Sequence, residues 1–243
     1  MGHDGQSGSD RRTFLKGAVV GGAAAASGAT ATGAALAQGA RPAAATAAPA
    51  PTGYAFLSPD EVAFVEALVD HLIPADALTP SGTALGIPVY IDRALASGWG
   101  QGARLYRQGP WKSGTANQGY QLPLTPAQLW REGIAATDAH CLKTWGRRFD
   151  RIAAADRQNL LLAMQGGKLS FADGPPARAF FAMAYQNVME GMFADPMYGG
   201  NRDKAGWKMI GFPGVVAVHA RNIDTYRDRP FPAGNPLGIA DMS

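Results

Sequence analysis

The sequence predicts an all-α fold: an irregular helical domain of about five or six helices joined by long ordered loops. Apolar residues recur three and four positions apart behind recognisable helix-start signatures, and no run alternates apolar with polar residues as a half-buried strand does. Of 243 residues, 47% are apolar and 17% charged, a balance that supports a buried core and excludes a charge-rich disordered chain.

The first helix opens at Ser58-Pro59-Asp60-Glu61, with Ser58 as N-cap, Pro59 at the first helical position and Glu61 completing a capping box. Val62, Val65, Leu68, Val69, Leu72 and Ile73 follow at helical spacing until Pro74 ends the segment. A loop containing Pro80, Gly82 and Gly86 leads to a shorter helix over Val89 to Leu95. From Gly98 to Pro123 no period is visible. We expect an ordered loop there, because Trp99, Tyr106, Trp111 and Tyr120 favour burial. Thr125-Pro126-Ala127-Gln128 repeats the capping box, and the helix behind it carries Trp130, Ile134, Cys141, Trp145 and Phe149 on one stripe. Two more helices are predicted: Asp156 to Gln165, closed by Gly166-Gly167, and Pro176 to about Phe193.

Ahead of this domain the chain reads Arg11-Arg12-Thr13-Phe14-Leu15-Lys16, then an uncharged Ala/Gly/Val stretch ending in Ala35-Leu36-Ala37. A paired arginine, a weakly apolar h-region and a small-x-small site form a twin-arginine export signal, with Arg11, Arg12, Phe14, Leu15, Ala35 and Ala37 as its defining residues. The expected organisation is a signal peptide at 1–37, a disordered Ala/Pro/Thr spacer at 38–53 and one helical domain at 54–243. The expected location is the periplasm. The formal charge of +3 falls to about +2 when the leader leaves, and no dense Lys/Arg stripe marks a surface for nucleic acid or anionic lipid.

Export in the folded state usually accompanies a cofactor or a partner, yet the chain lacks the motifs of a cofactor site. Gly98-Trp99-Gly100-Gln101-Gly102 has the wrong spacing for a dinucleotide fingerprint and follows no apolar strand. No Walker A sequence or Gly-x-Ser-x-Gly elbow is present. With one cysteine the chain cannot build its own c-type haem attachment, iron–sulfur cluster or multi-cysteine zinc site. His71, His140 and His219 show no metal-ligand spacing. His140 and Cys141, as helix neighbours, point about 100° apart and do not form a nucleophile–base pair. Cys141 itself reads either as a buried thiol or as one half of an inter-subunit disulfide.

The densest cluster of special residues runs from Glu190 to Lys208. Gly199-Gly200 calls for unusual backbone angles, Asp195-Pro196 and Asn201 form turns, and Met192, Phe193, Met197, Tyr198 and Trp207 supply adaptable apolar area. It reads either as an elaborate loop packed on its own helices or as a protein-binding surface. In the second case Asp195, Pro196, Met197, Tyr198, Gly199, Gly200, Asn201 and Trp207 are the candidate partner-binding residues.

The run from Gly191 to Asn201, continuing to Trp207 and Gly211-Phe212-Pro213-Gly214, resembles the small subunit (subunit 3) of gluconate 2-dehydrogenase. Phe56-Leu57-Ser58-Pro59-Asp60-Glu61, Leu72-Ile73-Pro74 and Gly119 to Pro126 extend the resemblance over nearly the whole mature chain. It implies a non-catalytic subunit with no catalytic, cofactor-binding or metal residue of its own. The implied partners are a large FAD-containing catalytic subunit of the glucose-methanol-choline type, with an iron–sulfur cluster as a further candidate group on it, and a multihaem cytochrome c that passes electrons to ubiquinone. Contact with the inner membrane would then be indirect, through the complex. Two other readings stay open: a stand-alone enzyme such as a hydrolase, for which Asp138, His140 and Asp150 are the candidates, and a sugar-binding protein using Trp99, Tyr106, Trp111 and Tyr120.

Overall fold

A computed structural model of the chain describes residues 53–242 apart from 113, 116–117, 216–219 and 233. The leader, with Arg11, Arg12, Phe14, Leu15, Ala35 and Ala37, lies outside the described residues, as does the spacer up to residue 52. The domain is helical. Five longer helices, α1 (Pro59–Leu72), α2 (Ile87–Ala96), α3 (Pro126–Trp145), α4 (Ala154–Gln165) and α5 (Ala177–Phe193), are followed by two short ones, α6 (Ala205–Ile210) and α7 (Ala220–Thr225). Among the described residues the only strand-like pairing is an isolated parallel bridge between Gly214 and Leu237.

Both predicted capping boxes form. Ser58 Oγ accepts from Glu61 N at 3.4 Å while the Glu61 carboxylate accepts from Ser58 N at 2.8 Å. Thr125 and Gln128 repeat the exchange at 3.2 and 2.8 Å. Each box satisfies two backbone donors that a helix start leaves unpaired.

Helix α5 is the central element and packs against α2, α3 and α4. Its crossing with α3 is close because Gly133 has no side chain: a Cβ there would sit 2.3 Å from the Phe180 ring. Trp130 meets Phe180 edge-on at 5.6 Å, and Phe64 from α1 lies 4.4 Å from the Phe149 ring. Phe64 is fully buried at the expected spacing from Leu68, although the predicted stripe for α1 did not include it.

Two expectations are corrected. Helix α3 does not run on to Phe149; it stops at Trp145, where Gly146 takes a left-handed conformation, φ +67°. Phe149 reaches the core from a separate 3-10 turn over Phe149–Arg151, held by Phe149 N donating to Asp138 Oδ1 at 2.9 Å. The loop aromatics are also less buried than expected. Trp99, Tyr106 and Trp111 are exposed, and only Tyr120 packs against the core, donating its hydroxyl to Leu124 O at 2.7 Å.

Candidate functional site

The Glu190–Lys208 segment folds as a tight cap over the end of α5. Asp195 Oδ1 accepts from Met197 N at 3.1 Å and so starts a 3-10 turn over Pro196–Tyr198, which Gly199 closes at φ +107°. The chain then turns inward. A Cβ on Gly200 would lie 2.1 Å from Gly191 O, and one on Gly206 would lie 2.3 Å from Met192 O, so glycine alone permits this approach to α5. Asn201, at φ +47°, is buried; its Nδ2 donates to Ala194 O and its Oδ1 accepts from Gly206 N, both at 2.9 Å. Trp207 is buried as well and donates Nε1 to Phe193 O at 2.7 Å.

The predicted partner-binding set therefore divides. Asp195, Gly200, Asn201 and Trp207 face into the domain and build the turn, which corrects their assignment to a partner-facing surface. The reason is the unpaired backbone: Asn201 and Trp207 satisfy the carbonyls of Ala194 and Phe193 at the end of α5, and Asp195 takes the N–H groups of Met197 and Ile239. Met197 and Tyr198, 49% and 51% exposed, are the members that reach solvent. A second segment secures the turn from behind: Ile239 N donates to Asp195 Oδ2 at 2.7 Å, and Lys204 pairs with Asp241.

Tyr198 forms one wall of a groove of about 740 Å³ between α2 and the end of α5. Tyr90, Arg93, Ala94 and Ser97 supply the α2 side, Glu190, Phe193 and Ala194 the α5 side, and Trp99 one end. Beneath it a polar chain runs out of the core. Trp130 Nε1 donates to Asn187 Oδ1 at 3.0 Å, Asn187 Nδ2 donates to Glu190 Oε2 at 2.9 Å, and Gln186 and the Tyr90 hydroxyl also donate to the Glu190 carboxylate. Burial, and then the neighbouring Glu190, push the Tyr90 phenol up to about 12, so it stays a donor at physiological pH.

Reasoning from the sequence did not single out Tyr90 or Arg93, and gave Glu190 no role beyond opening the Glu190–Lys208 cluster. The signal was present in α2: Tyr90, Arg93, Ala94 and Ser97 fall three and four apart, offset from the buried Ile87, Ile91 and Leu95. Asp92, on the buried face, was missed too. Its carboxylate accepts from the backbone N–H groups of Ala55, Phe56 and Leu57 at 2.7 to 2.9 Å and anchors the entry to the domain.

The other candidates are not brought together for chemistry. Asp138 and Asp150 flank Arg148, which also pairs with Asp60 at 2.8 Å, whereas His140 faces Thr144 and the Trp145 ring. His71 pairs with Gln158 at 2.7 Å, and His219 lies outside the described residues. Among the described residues no three His, Cys, Asp or Glu side chains are grouped to hold a metal. Cys141 is fully buried, and burial pushes its thiol up to about 12. A disulfide to another chain would require α3 to open. No described helix is long and apolar enough to cross a membrane.

Fold and site together define a helical domain whose special residues shape a surface and whose polar groups are spent holding that surface in place. A family model described as gluconate 2-dehydrogenase subunit 3 matches residues 59–214, and the chain belongs to that family. The matched range spans α1 to the residue after Pro213, and so includes both walls of the groove. No curated protein and no solved structure matched the chain.

Proposed function

We propose that this chain is the non-catalytic small subunit of a periplasmic FAD-dependent dehydrogenase acting on a sugar or sugar acid, and that it supports the assembly, stability and twin-arginine export of the catalytic flavoprotein. The carrying observation is the family match over residues 59–214, which joins the chain to a dehydrogenase named by its subunits. The Arg11-Arg12 leader adds an address for folded cargo, and the sequence holds no dinucleotide fingerprint and one cysteine. In this reading FAD, with any iron–sulfur cluster, belongs to a glucose-methanol-choline-type large subunit, haem c to a multihaem cytochrome subunit, and the membrane is reached through them.

The test is co-expression with the proposed flavoprotein partner, followed by cell fractionation. With the native leader the flavoprotein should appear in the periplasm; with Arg11→Lys and Arg12→Lys together it should stay in the cytoplasm. Flavoprotein export that ignores the double substitution, or flavin bound by this chain purified alone, overturns the proposal.

A second reading, sugar binding, draws on one observation. Tyr106, Trp111 and Tyr120 line a pocket of about 350 Å³ together with Arg107, Lys112, Gln118 and Gln121, although Trp99 belongs to the other groove. Calorimetric titration of the isolated chain with gluconate separates the two: measurable heat that vanishes in Trp111→Ala favours the second.

A further inference from the structure

Arg93 lies half-buried in the α2–α5 groove, and among the described residues no hydrogen bond or ion pair reaches its guanidinium. Gly199 leaves room for it: a Cβ there would come within 3.1 Å of Arg93 Nη1. A guanidinium on the wall of an aromatic groove, with no acceptor among the described residues of its own chain, is a ready partner for a carboxylate arriving in bidentate geometry. The groove's own carboxylates do not serve, since Glu190 is taken by Tyr90, Gln186 and Asn187 and Asp195 by the N–H groups of Met197 and Ile239. Around Arg93 the lining is Ala94, Phe193, Tyr198 and Trp99, the last 42% exposed. Arg, Trp and Tyr clustered at one apolar depression are the residue types that dominate binding energy at protein interfaces.

We propose that this groove seats a segment of the catalytic dehydrogenase subunit that inserts apolar side chains between Trp99 and Tyr198 and places an Asp or Glu carboxylate on Arg93. The assignment rests on the small-subunit reading above and gives it a surface. A second copy of this chain is a poorer occupant, because a symmetric contact brings Arg93 against a groove whose two carboxylates, Glu190 and Asp195, are already satisfied. The buried Asn201 and Trp207 then act indirectly, by holding the Tyr198 wall in position.

The test uses the full chain, tagged and co-expressed with the catalytic subunit, with each variant checked for native thermal unfolding. Trp99→Ala and Arg93→Glu should each weaken co-purification by about tenfold or more, as interface anchors do. Arg93→Lys should fall between them and the parent, because it keeps the charge and loses the two-pronged geometry. Leu162→Ala, an exposed site on α4, should bind as the parent does. If the parent holds the flavoprotein and the groove variants hold it equally well, the groove assignment fails while the small-subunit reading stands. If the parent itself holds none, the small-subunit reading fails. Gluconate binding to the isolated chain that disappears in Arg93→Glu while co-purification is unchanged overturns the proposal in favour of a small-molecule site.

Discussion

Asn201 shows how much one side chain settles. Its amide joins Ala194 O to Gly206 N across the turn, and its left-handed backbone is one that asparagine tolerates better than most residues. Asn201→Ala strands a carbonyl and an N–H in a buried place, a loss of about 2–4 kcal/mol, measurable as a lower midpoint in urea unfolding. Cys141 gives a second residue-scale outcome. Its thiol is ordinarily near 9 and is raised to about 12 by burial, so the folded chain keeps the proton between those values while the unfolded chain releases it. Stability is indifferent to this group below about pH 9 and falls as pH rises above it. A thiol reagent at pH 8 should therefore leave the native protein unlabelled and label it fully in denaturant; native labelling or a shifted band on a non-reducing gel contradicts the burial. The burial of Cys141 was legible from its stripe of large apolar neighbours. That of Trp207 was not, because its N–H answers a carbonyl fourteen residues away that no local pattern marks.

At the scale of elements, start signals proved more legible than stops. Ser58 with Glu61 and Thr125 with Gln128 are local chemistry, complete within four residues, and each fixes a helix start. The end of α3 misled because Trp145 and Phe149 keep helical spacing across Gly146, so periodicity and the glycine stop signal pointed in opposite directions. The loop aromatics misled because a large ring needs a neighbour to bury against, and that neighbour is not encoded nearby. The two caps offer a clean prediction. Ser58→Ala and Thr125→Ala should each cost about 1 kcal/mol, and because they belong to different helix starts the double variant should cost about 2 kcal/mol. Melting temperatures of the two single variants and the double variant check this; strong non-additivity contradicts independent caps.

For the whole molecule, the absence of alternation sufficed to read an all-α domain, and the motifs sufficed to read the family. The division of the Glu190–Lys208 segment into inward and outward residues was not legible, since it depends on positive-φ positions at Gly199, Asn201, Asp203 and Lys204 that follow no period. The final residues matter here. Removing 237–243 takes Ile239 N from Asp195, Leu237 O from Val215 N and Asp241 from Lys204, contacts that lie outside the five long helices. Loss of the buried Asp195 contact costs about 1–2 kcal/mol, so the melting temperature should drop by a few degrees with the helical circular dichroism signal unchanged. Collapse of that signal on truncation contradicts this.

Asp195 takes one N–H from its own turn and another from Ile239, 44 residues further along the chain. Translation delivers that second donor after the five long helices have been made. The wall carrying Tyr198 is thus buttressed only once the chain has been made through Ile239, and a nascent one stopped short of it lacks that support.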